Sequence, residues 1–267
     1  MEKSPLGYIV VMFDVMGFEF RLRKFGLPEI HNRYTNIIDF VRQNTKRSKL
    51  LSESLNITGP FWLADGGVTN LYEINVINSS DSILIWSNLG WKMIQNQTKE
   101  ELKKNESHPA YGHLSKPIPL LEIWNTCAEL ICRSIEFDLP IRGAVSTGDA
   151  VFDIENRIFL GEPIVDTARL ENKQHAIGLS LCKSFVAHED ISHFFIPYSK
   201  HYKPEYNSEK IDLAFNWPHY WKNSRPDINL IDTLQKMSDN NDKHSYYANT
   251  IEFVKYSESL EKSNSLS

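Results

Sequence analysis

The apolar pattern is strongest near the N-terminus. Tyr8-Ile9-Val10-Val11-Met12-Phe13 runs without a polar residue and stops at Asp14. A run of that length predicts a central strand, buried on both faces. Asp14 to Gly17 then reads as a strand-to-helix turn, and Gly17 lets backbone approach a ligand closely. Ile30, Tyr34, Ile37, Ile38 and Val41 recur at helical spacing. They predict a helix from Pro28, a favoured first residue, to about Asn44. Gly59-Pro60 and Gly66-Gly67 punctuate the stretch that follows. Leu71 to Ile77 and Ile83 to Trp86 predict two strands. The polar turn Asn78 to Ser82 joins them as a hairpin with Asp81 at its tip.

Asn88 to Lys116 is polar and aperiodic, the mark of an inserted surface loop or lid over about 88–118. Leu120, Ile123, Trp124, Cys127, Leu130, Ile131 and Ile135 predict a second amphipathic helix. A strand follows from Pro140, a turn from Gly148 to Asn156, and a short strand at Ile158-Phe159-Leu160. Pro163 to Asn172 predicts a helix and Ile177 to Leu181 another strand. Phe215-Asn216-Trp217-Pro218 reads as one buried piece. The remainder predicts one or two helices and a frayed tail. Strand, helix, strand, strand, helix, strand is the ferredoxin-like βαββαβ order. The fold class is therefore α+β, with an antiparallel sheet, an inserted loop and a C-terminal extension. Residues 1–200 form the main domain, and 201–267 an extension that packs on it.

Composition narrows the classes. The chain has 267 residues and a net charge of -5, with no basic tract. That argues against a nucleic-acid duplex as partner but leaves local Arg and Lys for a nucleotide. No apolar segment approaches the roughly 20 residues of a membrane span, and the N-terminus lacks a signal peptide. The expectation is a cytoplasmic protein. Cys127, Cys132 and Cys182 show no metal-ligand pairing and read as buried thiols.

The candidate chemistry rests on Asp14 and Asp81. In the βαββαβ arrangement the first strand and the hairpin are neighbours, so two carboxylates 67 positions apart can meet. Close carboxylates repel unless a cation neutralises them. Oxygen ligands suit Mg²⁺ or Mn²⁺, and two such ions roughly 3.5–4 Å apart clamp both ends of a phosphoryl displacement. Backbone N–H groups of Val15, Met16, Gly17 and Phe18 could receive the phosphates. Taken singly, Asp14 also reads as a cap and Asp81 as a turn residue.

On these residues the chain resembles the class III nucleotidyl cyclases. Phe13-Asp14-Val15-Met16-Gly17-Phe18 is similar to that family's F-x-D-x-x-G-F strand end, and Ser80-Asp81 stands at its Gly-Asp hairpin. Arg142-Gly143-Ala144-Val145-Ser146-Thr147-Gly148 matches its R-x-G-I-x-x-G strand in spacing. Gly161 to Glu171 is similar to its G-x-x-V-N-x-A-x-R-L block. The resemblance implies a head-to-tail homodimer with shared active sites. Asp14, Asp81 and the Val15 carbonyl would hold two divalent cations. Arg142 would reach the β/γ-phosphates, and Arg169 would come from the other subunit to the α-phosphate. The ribose 3′-oxygen would displace pyrophosphate.

Several positions depart from the pattern. Val165 replaces the family asparagine, and Ile77 and Ile158 stand where adenine readers would be. The long loop, the Arg142-Gly143-Ala144 block and Gln174-His175-Ala176-Ile177-Gly178 look more like the pyrimidine cyclases of Pycsar antiphage systems. That branch implies UTP or CTP as substrate, and a cyclic-nucleotide effector acting downstream without direct contact. Asn78 and Ser79 are the candidate base readers, and Phe61 or Trp62 could stack on the base or simply pack the core. Three competing readings stand beside it. One is a cyclase-like sensor that binds nucleotide without chemistry, another a purine cyclase. The third is a haloacid-dehalogenase-type phosphatase, disfavoured because Met16 stands where its second aspartate belongs.

Overall fold

The N-terminal apolar run becomes β1 (Tyr8–Val15), with a hydrogen-bonded neighbour on each side. The computed structural model describes residues 7–54, 74–88, 120–186, 190–205, 213–239 and 244–264. After β1 come α1 (Phe18–Phe25), α2 (Leu27–Ser54), β2 (Asn75–Ser79) and β3 (Ser82–Asn88). Next are α3 (Leu121–Glu136), β4 (Ile141–Gly148), β5 (Ala150–Asp153), β6 (Ile158–Gly161), α4 (Glu162–Glu171) and β7 (Gly178–Leu181). The chain ends with β8 (Phe195–Pro197), β9 (Leu213–Phe215), α5 (Trp217–Ser224), α6 (Leu230–Asp239) and α7 (His244–Asn264).

The main sheet has seven strands in the order β2-β3-β1-β4-β7-β9-β8. Its first four strands have the βαββαβ order, with β1 antiparallel to both β3 and β4. Among the described residues only the β4–β7 pair is parallel. The architecture is thus α+β around a mostly antiparallel sheet, as the pattern predicts. Strands β5 and β6 form a separate two-stranded hairpin. Gly143 is required where β4 crosses β1, because a Cβ there would lie 2.4 Å from the Phe13 ring.

Alternation along β1 divides the sheet. Ile9, Val11, Phe13 and Val15 join the main core with α2 and α3. Val10 faces the other way, packing with Leu84, Trp86, Tyr8 and Met12. The main core also takes in Trp217, Trp221, Leu234, Tyr247 and Phe253 of the C-terminal helices. Arg225, just past α5, ties them to α3 through Glu129 (3.0 Å) and Glu136 (2.7 Å).

Some boundaries differ from the sequence reading. Gly26, at φ 78°, separates α1 from α2, and α2 continues to Ser54 rather than stopping near Asn44. Apolar spacing ends at Val41, so periodicity gave no reason to extend it. Lys46, Arg47, Lys49, Leu50, Leu51 and Glu53 in the extension favour helix. The last helix runs from His244 to Asn264. Of the insertion expected at about 88–118, Asn88 belongs to β3 and the rest lies outside the described residues, as does the Phe61-Trp62 pair. All three cysteines are buried free thiols. No helix among the described residues is long and apolar enough to cross a membrane.

Candidate metal and nucleotide site

Strand register places the two aspartates. Asp14 lies opposite Ser82 of β3 and opposite Arg142 of β4. The next residue, Val15, donates its N–H to the Asp81 carbonyl at 2.9 Å. The Ser80-Asp81 turn therefore abuts the end of β1, with Ser80 in the left-handed region at φ 55°. Tyr34 of α2 donates its hydroxyl to the Ser82 carbonyl (3.3 Å). That hydroxyl is pushed above its ordinary pKa by burial first, then by the charges of Asp81 and Asp14. Both carboxylates thus act on one neighbourhood.

The turn after β1 is built from inside. The Val15 N–H is used by Asp81, and the Met16 N–H donates to the Pro140 carbonyl at 2.9 Å. This corrects the expectation that all four N–H groups from Val15 to Phe18 face phosphates. Those of Gly17 and Phe18 have no acceptor among the described residues. They sit at the start of α1, where the helix dipole favours an anion. Gly17 has φ 64°, so the turn itself calls for glycine.

Arg21 lies beneath this turn and is 1% exposed. It donates to the Met16 carbonyl, to the Asp138 carbonyl (2.6 Å) and to the Tyr247 hydroxyl (2.7 Å). It also pairs with the Asp138 carboxylate at 3.3 Å. Sequence reasoning missed it. Apart from Met16, its partners lie 117 and 226 positions away, and no local pattern marks them.

Arg142 is held differently from the role the resemblance implies. Its Nε is 2.7 Å from Glu171 Oε1, and its Nη2 is 3.4 Å from Asp14 Oδ2. The Glu171 contact is short but off hydrogen-bond alignment, so charge attraction carries it. Nη1 donates to the Gln174 carbonyl at 2.9 Å. The guanidinium is thus held against Asp14, Glu171 and the Gln174 carbonyl, on the face of the sheet that carries Asp14. Glu171 is a second residue that sequence reasoning missed. Burial raises its pKa to about 7, opposed by Arg142 and reinforced by Asp14. One signal was available: with Pro163 and Thr167 it forms an i, i+4, i+8 stripe, and all three are buried.

The base-reading candidates part company. Asn78 pairs with Ile83, a member of the helix-side core, and accepts from Arg42 of α2 at 3.2 Å. It is on the opposite face of the sheet from Asp14, which corrects its assignment. Ser79 pairs with Ser82 and shares Asp14's face. A one-residue step along a strand reverses the face, so only one of two adjacent candidates could be there. Arg169 is two residues from both Thr167 and Glu171, about 200° round α4. It is exposed and has no ion pair among the described residues, so one chain does not bring it to the Arg142–Glu171–Asp14 cluster.

The donors near Asp14 fit a hard divalent cation. Two carboxylates and the Val15 carbonyl are all oxygen, and Mg²⁺ typically takes one or two carboxylates and keeps several waters. The described residues contain no cluster of three or more His, Cys, Asp or Glu side chains that could hold a metal.

No family model matches the chain. No curated protein matches it by sequence. Among solved structures it is similar to the catalytic core of a rhodopsin-guanylyl cyclase with converted specificity, in complex with ATPαS. The TM-score there is 0.44 at 11% identity, over 79% of this chain and 95% of that one. It is also similar to the guanylyl cyclase Cya2, with a TM-score of 0.39 at 10% identity over 79% and 93%. At such values the site reading rests on the chain's own geometry.

Proposed function

We propose that the chain is a divalent-metal-dependent nucleotidyl cyclase acting on a pyrimidine nucleoside triphosphate, UTP before CTP. One observation carries this reading: Asp14 and Asp81 share one end of the sheet, joined by the Val15–Asp81 backbone bond. The anion-favouring start of α1 lies beside them. Asp14, Asp81 and the Val15 carbonyl would hold Mg²⁺ or Mn²⁺. Bound there, the ions would supply charge neutralisation for the triphosphate and activation of the attacking oxygen.

The chain's own residues do the positioning. Gly17 and Phe18 N–H groups orient phosphate oxygens. Ser79 offers a hydroxyl on Asp14's face for a base edge. The 3′-oxygen forms a bond to the α-phosphorus as the bond to the β-phosphate oxygen breaks. Pyrophosphate leaves, and the 3′-hydroxyl proton passes to solvent. Arg169 of a second copy completes the site by stabilising charge on the α-phosphate. Exposed Val151, Ile154, Ile158 and Leu160 on the β5–β6 hairpin, with Val165 on α4, support a head-to-tail homodimer. The apolar Ile77, opposite Leu84 on Asp14's face, offers adenine no hydrogen bond and supports the pyrimidine. The product would serve in the cytoplasm as an antiphage second messenger.

The test is mass analysis of products from each of the four nucleoside triphosphates with Mn²⁺, using wild type and Asp14→Ala. A cyclic pyrimidine nucleotide from wild type, with at least about a 10³-fold loss in the variant, is expected, since the ions supply several kcal/mol. Equal turnover by both proteins removes Asp14 from the mechanism. Cyclic AMP or cyclic GMP as product would replace the pyrimidine by a purine. Arg142, already committed to Glu171 and Asp14, favours a second reading, a module that binds nucleotide without turnover. Calorimetric binding with no pyrophosphate released would select it.

A further inference from the structure

Outside the Asp14 cluster, a cavity of about 210 Å³ opens between the end of α4 and the exit of β7. Arg169 lines it from the last turn of α4, Lys173 from just past that helix, and Lys183 and Ser184 from the segment after β7. None of the three cations has an ion pair among the described residues. Asp166 is the single carboxylate in the lining, and it bears on the Cys182 thiol. The balance is three positive charges to one negative in a concavity, on a chain whose net charge is -5. A helix dipole accounts for cations at the end of α4. It does not account for Lys183, which comes from another part of the chain.

We infer that this cavity is a polyphosphate subsite, with Lys173 and Lys183 as the phosphate-tail contacts. Arg offers a planar fork and Lys a point charge, the two donor types that phosphate chains accept. The volume is below the roughly 300 Å³ at which pockets take whole drug-sized ligands, so it suits the tail of a nucleotide and not all of it. The inference rests on the cyclase reading for the source of that tail. Presented together with Arg169 by a second copy, the subsite's lysines would add positive charge beside Asp14 and Asp81.

The probe is inorganic tripolyphosphate, titrated calorimetrically into the full chain in EDTA, without divalent metal. Wild type is expected to bind saturably, with affinity falling as salt rises. Lys173→Glu and Lys183→Glu, both at exposed positions, should each lose about tenfold or more while melting at the wild-type temperature. Lys236→Glu, on α6, should change little. No saturable binding, or equal affinity for wild type and both lysine variants, overturns the subsite. The two readings fail separately. Lysine-independent binding alongside Mn²⁺-dependent cyclisation removes the subsite and leaves the cyclase. Lysine-dependent binding with no turnover of any nucleoside triphosphate leaves the subsite and removes the cyclase.

Discussion

The two faces of the main sheet are made from the same strands and serve opposite ends. On one, Ile9, Val11, Phe13 and Val15 are sealed by α2, α3 and the C-terminal helices. Trp124 sits there fully buried, edge-on to Phe195 at 5.1 Å. On the other, the apolar cluster is small: Val10, Leu84 and Trp86, with Phe152 stacked on Trp86 at 4.4 Å. Past that cluster the same face turns polar, with Asp14, Arg142 and Ser79. The helix-covered face has its apolar surface satisfied and can only hold the fold. The thinly covered face keeps charged groups in contact and apolar residues exposed, and that is where ligand and partner chemistry has room.

Four substitutions sharpen this contrast. Trp124→Ala should be the most damaging, at about 3–5 kcal/mol of stability by denaturant unfolding, since it opens a cavity in a sealed core. A loss under 1 kcal/mol would mean that face is not the stabilising one. Arg21→Met should cost about 2–3 kcal/mol, because it strands the Met16 and Asp138 carbonyls beneath the site. It should also weaken nucleotide binding by loosening the turn. Binding unchanged in the folded variant would separate the turn from the site.

Glu171→Gln tests the polar face through pH. Burial lifts the folded-state pKa from 4.5 to about 7, so folding takes up a proton between those values. The folded state then binds more protons than the unfolded one, and stability falls as pH rises through that window. The glutamine variant should lack this component, worth at most about 3 kcal/mol between pH 4.5 and 7. An unaltered pH slope in unfolding experiments would assign the titration elsewhere. Leu160→Glu should have the smallest effect on stability, within about 0.5 kcal/mol, because Leu160 is 61% exposed. It should shift sedimentation from dimer to monomer. A monomeric wild type would deny the hairpin that role.

Legibility followed physical range. The central strand, its carboxylate and the hairpin turn were readable because an unbroken apolar run and a polar turn are local signals. Asn78 was misplaced because face assignment needs the register, and a one-residue shift reverses it. Glu171 and Arg21 went unread because what marks them is burial beside groups from distant elements. The partners of Arg142 went unread for the same reason, since they come from α4 and β1.

By itself the sequence determined the α+β order of elements, that Asp14 ends an apolar strand and that Asp81 sits in a polar turn before another. Periodicity and turn chemistry act within a few residues, and a linear chain displays them in full. Only the tertiary structure decided which face each side chain occupies, which arginine is locked and which stays exposed. Those outcomes depend on register and on desolvation by elements far apart in the chain, and no local stretch encodes either.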